Sequence, residues 1–367
     1  CVECHMPETT YMVIDPRRDP SIRIPRPDLS VKLGVPNACT RCHTDQNNAW
    51  AVDTMHNWYG EIKQDWQDFA ITLHEARRGN PAVAPELETL ISNQTTPAIV
   101  RATLLMELPR YLSATSLPVI QGALQDSDPL VRQATINALS NTNPNLRLKL
   151  FFPLLDDSVR AVRLAATRAL MDLPVDQLGE QQNEKLYMAI TEYEKSLKVN
   201  ADRPEAMVQL GVLYSVQGRY LDAEQAYQRA IDLDNHFNAS YVNRADLFAR
   251  QNQDADAQAI LKQGLAVLPE DPDLHHALGL SLIRSKQYDE AMPELALAAK
   301  LAPENARYSY VYAVALHSMG NIRKAITTLE TSLEQHPYDR QIMEALVAFY
   351  REAGEMDKAG IMEGYLQ

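Results

Sequence analysis

Cysteine is scarce in this sequence, and no cysteine is left over for a disulfide outside two short stretches. Only 4 of the 367 residues are cysteines, and they stand at positions 1, 4, 39 and 42. No run of about 18 apolar residues is present, so no transmembrane helix is predicted. The formal net charge is −13. This charge argues against a duplex nucleic-acid partner, because the phosphates would be repelled.

Both cysteine pairs are followed directly by histidine. The two stretches are Cys1-Val2-Glu3-Cys4-His5 and Cys39-Thr40-Arg41-Cys42-His43. On a helical turn, residues three and four apart lie on one face, so both thiols of a pair can reach the vinyl groups of one porphyrin. The following histidine can then bind the iron. We therefore predict two c-type haems, bound through Cys1, Cys4, Cys39 and Cys42, with His5 and His43 as the proximal iron ligands.

A zinc site is the main alternative for these cysteines. Two Cys-x-x-Cys pairs can supply four thiolates to one tetrahedral zinc ion. Such a site would make no use of the histidine that follows each pair. The repeated histidine therefore favours haem over zinc.

Each haem iron needs a sixth ligand or an open position. His56 and His74 lie in two predicted helices, 47–59 and 64–78, that follow the second motif. We predict them as the distal ligands, with Met12 and Met6 as competing candidates. A methionine ligand would raise the reduction potential relative to two histidines. The histidines after residue 200 are expected to lie on surfaces or in grooves of the repeats described next.

Residues 1–38 contain six prolines and a cluster of arginines. Proline lacks a backbone donor and is excluded from helix interiors, so this segment is predicted to be extended. The arginines either form a solvated basic loop or pair with haem propionates, which suit the guanidinium fork. They are Arg17, Arg18, Arg23 and Arg26.

Residues 81–178 carry a Val-Arg pair that recurs every 31 residues, at Val100-Arg101, Val131-Arg132 and Val162-Arg163. Each pair stands just inside a predicted amphipathic helix. The period and the small residues resemble short HEAT repeats. The Asp-x-x-Val-Arg core is present at Asp128 and at Asp156 and is missing from the first unit.

Residues 179–367 follow a stricter period of 34. The invariant alanine of this period recurs at Ala189, Ala223, Ala257, Ala291, Ala325 and Ala359. A small residue recurs in the first helix of each unit at Gly211, Ala245, Gly279 and Ala313, and the turns fall at Gly218, Asn252, Lys286, Gly320 and Gly354. The pattern resembles tetratricopeptide repeats, with four units over 204–339 and a fifth after them. No polar capping helix follows the last unit, so we expect its end to be covered by something else.

Several short stretches extend the comparison to the whole chain. They are Cys4-His5-Met6-Pro7, Thr10-Tyr11-Met12, Asp15-Pro16-Arg17-Arg18-Asp19, Ile24-Pro25-Arg26-Pro27-Asp28-Leu29-Ser30 and Pro36-Asn37-Ala38-Cys39. Together with the repeats they resemble multihaem c-type cytochromes that end in a tetratricopeptide tail. The resemblance implies an exported protein, often with more haems upstream, and a histidine directly after Asp19. Here that position is Pro20, so another distal ligand is expected, and His56 is the nearest candidate.

The fold expected from these patterns is all-α, with a loop-rich dihaem domain over 1–80 followed by HEAT-like repeats over 81–178 and tetratricopeptide repeats over 179–367. No signal peptide precedes the first motif, and c-type haem attachment requires export, so we expect further residues before Cys1 and a periplasmic or extracellular location. No Ser-His-Asp pattern, phosphate loop or His-Glu-x-x-His motif is found.

The predicted function is electron transfer. The repeats would bind redox partners or copies of the same chain, and head-to-tail contacts between repeat ends could build an open filament. The alternative is a haem enzyme, or an accessory subunit of a nitrite-type oxyanion reductase, with one open iron.

Overall fold

The computed structural model describes residues 6, 8–11, 15–18, 25–60, 67–173 and 178–366. The chain forms two compact units, Cys1–Thr96 and Pro97–Gln367. Among the described residues, no helix combines the length and the apolar character needed to cross a bilayer.

The first unit begins with a two-stranded antiparallel hairpin. Strands β1, Glu8–Tyr11, and β2, Asp15–Arg18, pair so that Glu8 lies opposite Arg18. The side chains of these two residues form an ion pair at 3.6 Å. A short helix, α1, then covers Pro27–Leu33.

The prediction of an extended chain throughout 1–38 is wrong for α1. Pro27 occupies the first turn of this helix, where a backbone N–H has no partner within the helix and its loss costs little. Gly34, with φ 70°, ends the helix in the left-handed conformation.

Four further helices complete the described part of the first unit. They are α2 Ala38–Cys42, α3 Asn48–Tyr59, α4 Phe69–Arg78 and α5 Ala84–Ser92. Helix α1 packs against both α3 and α4. Helix α4 begins at Phe69, because Gln67 and Asp68 form the preceding turn. Residues 64–66 of the predicted helix lie outside the described residues.

The second unit begins with helices that pack against one another. They are α6 Ala98–Glu107, α7 Ser116–Leu124, α8 Pro129–Ala138, α9 Pro144–Phe151 and α10 Arg160–Leu170. Helix α8 packs directly against both α6 and α10. These three helices carry the recurring Val-Arg pairs, and their valines are buried. The predicted 31-residue register is therefore the packing register.

The remaining helices form antiparallel pairs, each packed on the next. They are α11 Glu180–Val199, α12 Pro204–Val216, α13 Tyr220–Leu233, α14 Asn238–Arg250, α15 Asp254–Val267, α16 Pro272–Arg284, α17 Tyr288–Leu301, α18 Ala306–Ser318, α19 Ile322–Gln335, α20 Arg340–Ala353 and α21 Met356–Leu366. Leu164 and Met171, from α10 and the turn after it, pack against the core of the first of these pairs. The two repeat types therefore share one continuous core.

The turn inside each pair uses one left-handed residue. The five residues predicted at this position have φ between 60° and 81°; they are Gly218, Asn252, Lys286, Gly320 and Gly354. The amide of the next residue donates to a carbonyl five residues earlier, as from Arg219 to Tyr214 at 2.9 Å. Asn252 and Lys286 adopt this conformation although they carry a Cβ. The turn is therefore imposed by the repeat packing as well as by glycine.

Candidate functional site

The second cysteine motif forms a single capped helical turn. The side chain of Asn37 accepts a hydrogen bond from the Cys39 amide at 2.8 Å and so begins α2. The amide of His43 donates to the Cys39 carbonyl at 2.9 Å and closes the turn. Cys39 and Cys42 are three residues apart on this turn, so their side chains share one face. Cys39 is half-buried and Cys42 is exposed.

His43 lies at the C-terminal end of this turn and contacts the next helix. Its ring centroid is 4.8 Å from that of Trp50 on α3, with the planes tilted by 49°. His43 is exposed, so the imidazole remains accessible. This contact fixes the side of the turn on which the predicted proximal ligand stands.

The predicted distal ligands lie on two different helices. His56 is exposed near the end of α3, six residues after Trp50 and therefore about 9 Å farther along the helix axis. His74 is half-buried on α4, one turn after Ile71. Among the described residues, no group of three His, Cys, Asp or Glu side chains is placed to hold a metal ion.

The other predicted haem-site residues, Cys1, Cys4, His5 and Met12, lie outside the described residues. Their assignments, and those of His56 and His74, stay predictions.

The described part of residues 25–80 has very little apolar core. Its buried hydrophobic side chains are only Leu29, Ala51 and Ala76. Trp58 and Tyr59, in contrast, are 69% and 73% exposed. The same unit also buries Val83, Leu87 and Ile91, which follow α4. The Cys39 and Cys42 thiols and the exposed His43 imidazole are a donor set that fits a covalently attached haem.

Arg26 fastens the start of α1 to the start of α4. Its guanidinium donates to both carboxylate oxygens of Asp28, at 2.9 and 2.8 Å, and to Asp68 at 2.9 Å. Hydrogen bonding to Asp28 raises the pKa of Arg26, and Arg26 in turn lowers the pKa of Asp28. Arg17 pairs with Asp15 at 2.7 Å. Arg26 and Arg17 therefore pair with carboxylates of the chain itself. The sequence alone allowed haem propionates as alternative partners of these arginines.

The arginines of the HEAT-like repeats form a ladder of ion pairs. The pairs are Arg101 with Asp126, Arg132 with Asp157 and Arg163 with Glu192. Arg132 also donates to the Asp126 carbonyl at 2.6 Å, and Arg163 donates to the Asp157 carbonyl at 2.8 Å. Each of these two side chains therefore joins its own acidic partner to the acidic residue of the previous rung.

Burial and hydrogen bonding act in opposite directions on the Asp157 carboxyl group. Burial acts to raise its pKa, but the hydrogen bonds from Arg132 and from the Val159 amide lower it overall. The sequence signal for this ladder was an acidic residue 25 positions after Arg101 and Arg132, which the Val-Arg pattern alone did not include.

Two grooves run beside the first helices of the tetratricopeptide pairs. One has a volume of about 660 Å³ and is lined by both signs of charge, including Arg168, Asp246 and Arg250. The other, of about 450 Å³, lies between α14, α16 and α18. His276 stands in the second groove with its ring 4.5 Å from that of Tyr308. Burial lowers the pKa of His276 to about 4, helped by the positive charge of Arg307.

Comparison with protein families identifies the two repeat types. A model described as HEAT repeats matches residues 84–171. Models described as tetratricopeptide repeat match residues 182–236, 215–280 and 282–349.

Comparison with individual proteins gives more distant similarities. The chain is 26% identical over 204 residues to a peroxisomal targeting signal receptor of Candida albicans, which covers 44% of this chain and 34% of the receptor. The chain therefore spans about a third of that relative's length. A crystal structure of MamA protein is 18% identical, covers 44% of this chain and 88% of its own, and has a TM-score of 0.38. YrrB, a TPR protein with an unusual peptide-binding site, is 20% identical; the match covers 47% of this chain and 88% of YrrB, with a TM-score of 0.36.

The family matches agree with the helix pairs and with the 31-residue and 34-residue registers. This chain is thus a helical repeat protein in which HEAT repeats are followed by tetratricopeptide repeats.

Proposed function

We propose that this protein is an exported dihaem c-type cytochrome that transfers electrons and docks to its partners through its helical repeats. The observation that carries the proposal is the α2 turn, with Cys39 and Cys42 on one face and His43 directly after them. When bound, haem supplies a reversible one-electron couple at iron.

The chain's own residues would hold and orient this group. Cys39 and Cys42 would form the thioether bonds, and His43 would approach the iron from the end of the same turn. The Trp50 ring, 4.8 Å from that of His43, restricts the orientation of the imidazole. The first motif would bind the second haem in the same way, through Cys1, Cys4 and His5.

The exposed aromatic residues support a bound apolar group in this unit. Trp58 and Tyr59 contact each other edge to face, with centroids 6.2 Å apart, and both remain open to solvent. Covering two such rings with a porphyrin would bury apolar area that the described residues leave exposed. That burial would contribute roughly 25 cal/mol for each Å² removed from water.

The repeats are proposed to act as the docking scaffold. The grooves of about 660 and 450 Å³ are large enough to receive side chains of a partner protein. Helix α21 also presents Ile361 and Tyr365, 63% and 73% exposed, at the end of the repeat array. A second copy of the chain would meet this exposed apolar face of α21 head to tail.

The experiment is a haem count on protein purified from an export-competent host that attaches c-type haem. A denatured sample should keep two covalent haems per chain, read from its pyridine haemochrome spectrum. A Cys39→Ala/Cys42→Ala variant should keep one. If the purified protein carries zinc and no covalent haem, the proposal is wrong. Binding of carbon monoxide to the native protein would move the assignment toward a haem enzyme.

A further inference from the structure

The 34-residue register places a ring at the same position in two successive repeats and a small side chain in the next. These equivalent residues are Tyr241, His275 and Ser309. The Tyr241 hydroxyl donates to the Asn235 carbonyl at 3.1 Å. Nε2 of His275 lies 3.0 Å from the equivalent carbonyl, that of Pro269. Ser309 is too short to repeat this contact.

The third equivalent carbonyl has a different partner. It belongs to Pro303, and Nε2 of His336 lies 3.0 Å from it. His336 follows the last residue of α19. It therefore contacts the Pro303 carbonyl but does not fill the space that the rings of Tyr241 and His275 fill in the two preceding repeats. A groove of about 350 Å³ remains there, lined by residues of α17, α18 and α19 and by Pro303. We call it the Ser309 groove.

The charge of the Ser309 groove is opposite to that of the chain. The chain has a formal net charge of −13. The described residues that line this groove include Lys300 and Lys324 but no acidic residue. Neither lysine has a carboxylate within ion-pair distance among the described residues. The Lys324 Nζ lies 5.6 Å from the centroid of the Tyr312 ring at the base of the groove.

The preceding repeat shows how this groove departs from the pattern. There the residues equivalent to Lys324 and Thr328 are Glu290 and Glu294. Glu294 is occupied by His275, with 2.5 Å between its Oε2 and Nδ1 of the ring. The same position therefore holds a hydrogen-bonded His–Glu pair in one repeat and, in the next, an open groove whose two lysines have no carboxylate partner among the described residues.

We propose that the Ser309 groove binds an acidic segment of a partner protein. Carboxylates of that segment would pair with Lys300 and Lys324, and an apolar side chain between them would rest on Tyr312 where the ring is missing. The Ser332 hydroxyl, buried at the base and without a hydrogen-bond partner among the described residues, is a further donor. The inference rests on the docking role proposed for the repeats and is independent of haem.

The test measures binding of a labelled peptide to the purified protein carrying its haems by fluorescence anisotropy. The probe is a fluorescein-labelled peptide in which one Phe is flanked on each side by two Glu. The control probe has Lys in place of each Glu. The acidic probe should bind, the basic probe should not, and added salt should weaken the binding because the lysines are exposed to solvent.

Matched variants locate the binding to this groove. Lys300→Glu/Lys324→Glu should weaken the acidic probe about tenfold or more, as loss of paired charges does at interfaces. Lys195→Glu/Lys262→Glu makes the same change in net charge on exposed helix positions outside the groove and should leave the binding close to that of the parent protein.

Placing a ring at position 309 tests whether the small Ser309 side chain is what opens the groove. Ser309→His restores the residue of the preceding repeat and should block the acidic probe while the far-ultraviolet circular dichroism stays unchanged. His275→Ser opens the preceding groove, which lacks the two lysines, and should add no binding.

Two results would overturn the inference. One is equal binding by the two double-lysine variants, and the other is equal binding by Ser309→His and the parent protein. The haem content of each sample is measured separately, so either of these two results, obtained with haem intact, counts against the groove and leaves the proposed haem function untouched.

Discussion

Gly279 lies where α16 crosses α17, and adding one methyl group there tests the repeat register in atomic terms. A Cβ at this position would stand 2.6 Å from Cδ2 and 2.7 Å from Cγ of Leu295, and 3.3 Å from the Leu295 backbone nitrogen. Leu295 is 1% exposed and Gly279 is buried, so neither can move into free space. The Gly279→Ala variant must therefore shift one helix against the other.

The expected cost follows from overpacking of a close-packed core. Such insertions cost about 1–3 kcal/mol, and alanine returns up to about 1 kcal/mol through its higher helix propensity. The matched control is Gly122→Ala on α7, where an added Cβ meets nothing within 4 Å. This control isolates the propensity gain. The two variants should therefore differ by about 1–3 kcal/mol.

The assay is urea unfolding followed by circular dichroism, with the midpoint and the slope fitted for the parent and both variants. Gly279→Ala should unfold at lower urea than the parent protein, and Gly122→Ala at equal or higher urea. If Gly279→Ala matches Gly122→Ala, the close crossing does not exist and the register assigned to the tetratricopeptide pairs is wrong.

Three further predictions concern charge, pH and iron coordination. Arg132→Met should destabilise the second unit by about 3 kcal/mol in a urea titration, because it removes the ion-pair partner of the buried Asp157 carboxylate. Arg340→Met, which breaks the exposed ion pair with Glu344, should cost less than about 1 kcal/mol in the same titration. Burial lowers the pKa of His276 to about 4, so between about pH 6.5 and 4 the unfolded chain binds a proton that the folded chain does not, and stability should fall as the pH drops through this range. His276→Gln should reduce the dependence of the melting temperature on pH. An unchanged dependence would contradict this role of His276. His74→Ala should convert one haem to high spin in the absorption spectrum and open it to carbon monoxide, and two low-spin haems in the variant would remove His74 as a distal ligand.

The repeats could be predicted in detail because the same helix-turn-helix pattern recurs several times in one sequence. Gly218 and Lys286 share nothing in side-chain chemistry, yet the 34-residue spacing assigns both to the same turn, and both have positive φ. The close approach at Gly211 was predicted on the same basis, and a Cβ there would lie 2.6 Å from Cδ1 of Tyr227. Repetition supplies the comparison that a single occurrence lacks.

The features that sequence reasoning missed each depend on one contact or on one exception to a local rule. Helix α1 was predicted as extended chain because prolines were counted without their positions, and Pro27 is tolerated only because it falls in the first turn. Asp126, the partner of Arg101, lies 25 residues away in sequence. Such long-range contacts follow from helix packing and are not contained in any local pattern.

For the candidate site, the single turn from Asn37 to His43 follows from the motif itself. The spacing predicted that Cys39 and Cys42 would share a face, and the Asn37 cap produces that turn. The position of His74 relative to this turn depends on how α4 packs, which the motif does not specify. The distal ligands therefore remain predictions, whereas the backbone geometry of the Asn37–His43 turn is observed.

The measurement that tests the central claim most directly is the mass of the denatured, purified protein, taken together with its pyridine haemochrome spectrum. Two covalently attached haems per chain, retained after denaturation and reduced to one by Cys39→Ala/Cys42→Ala, are the predicted result. A mass equal to that of the bare polypeptide, from a host that attaches c-type haem to other proteins, would contradict the account.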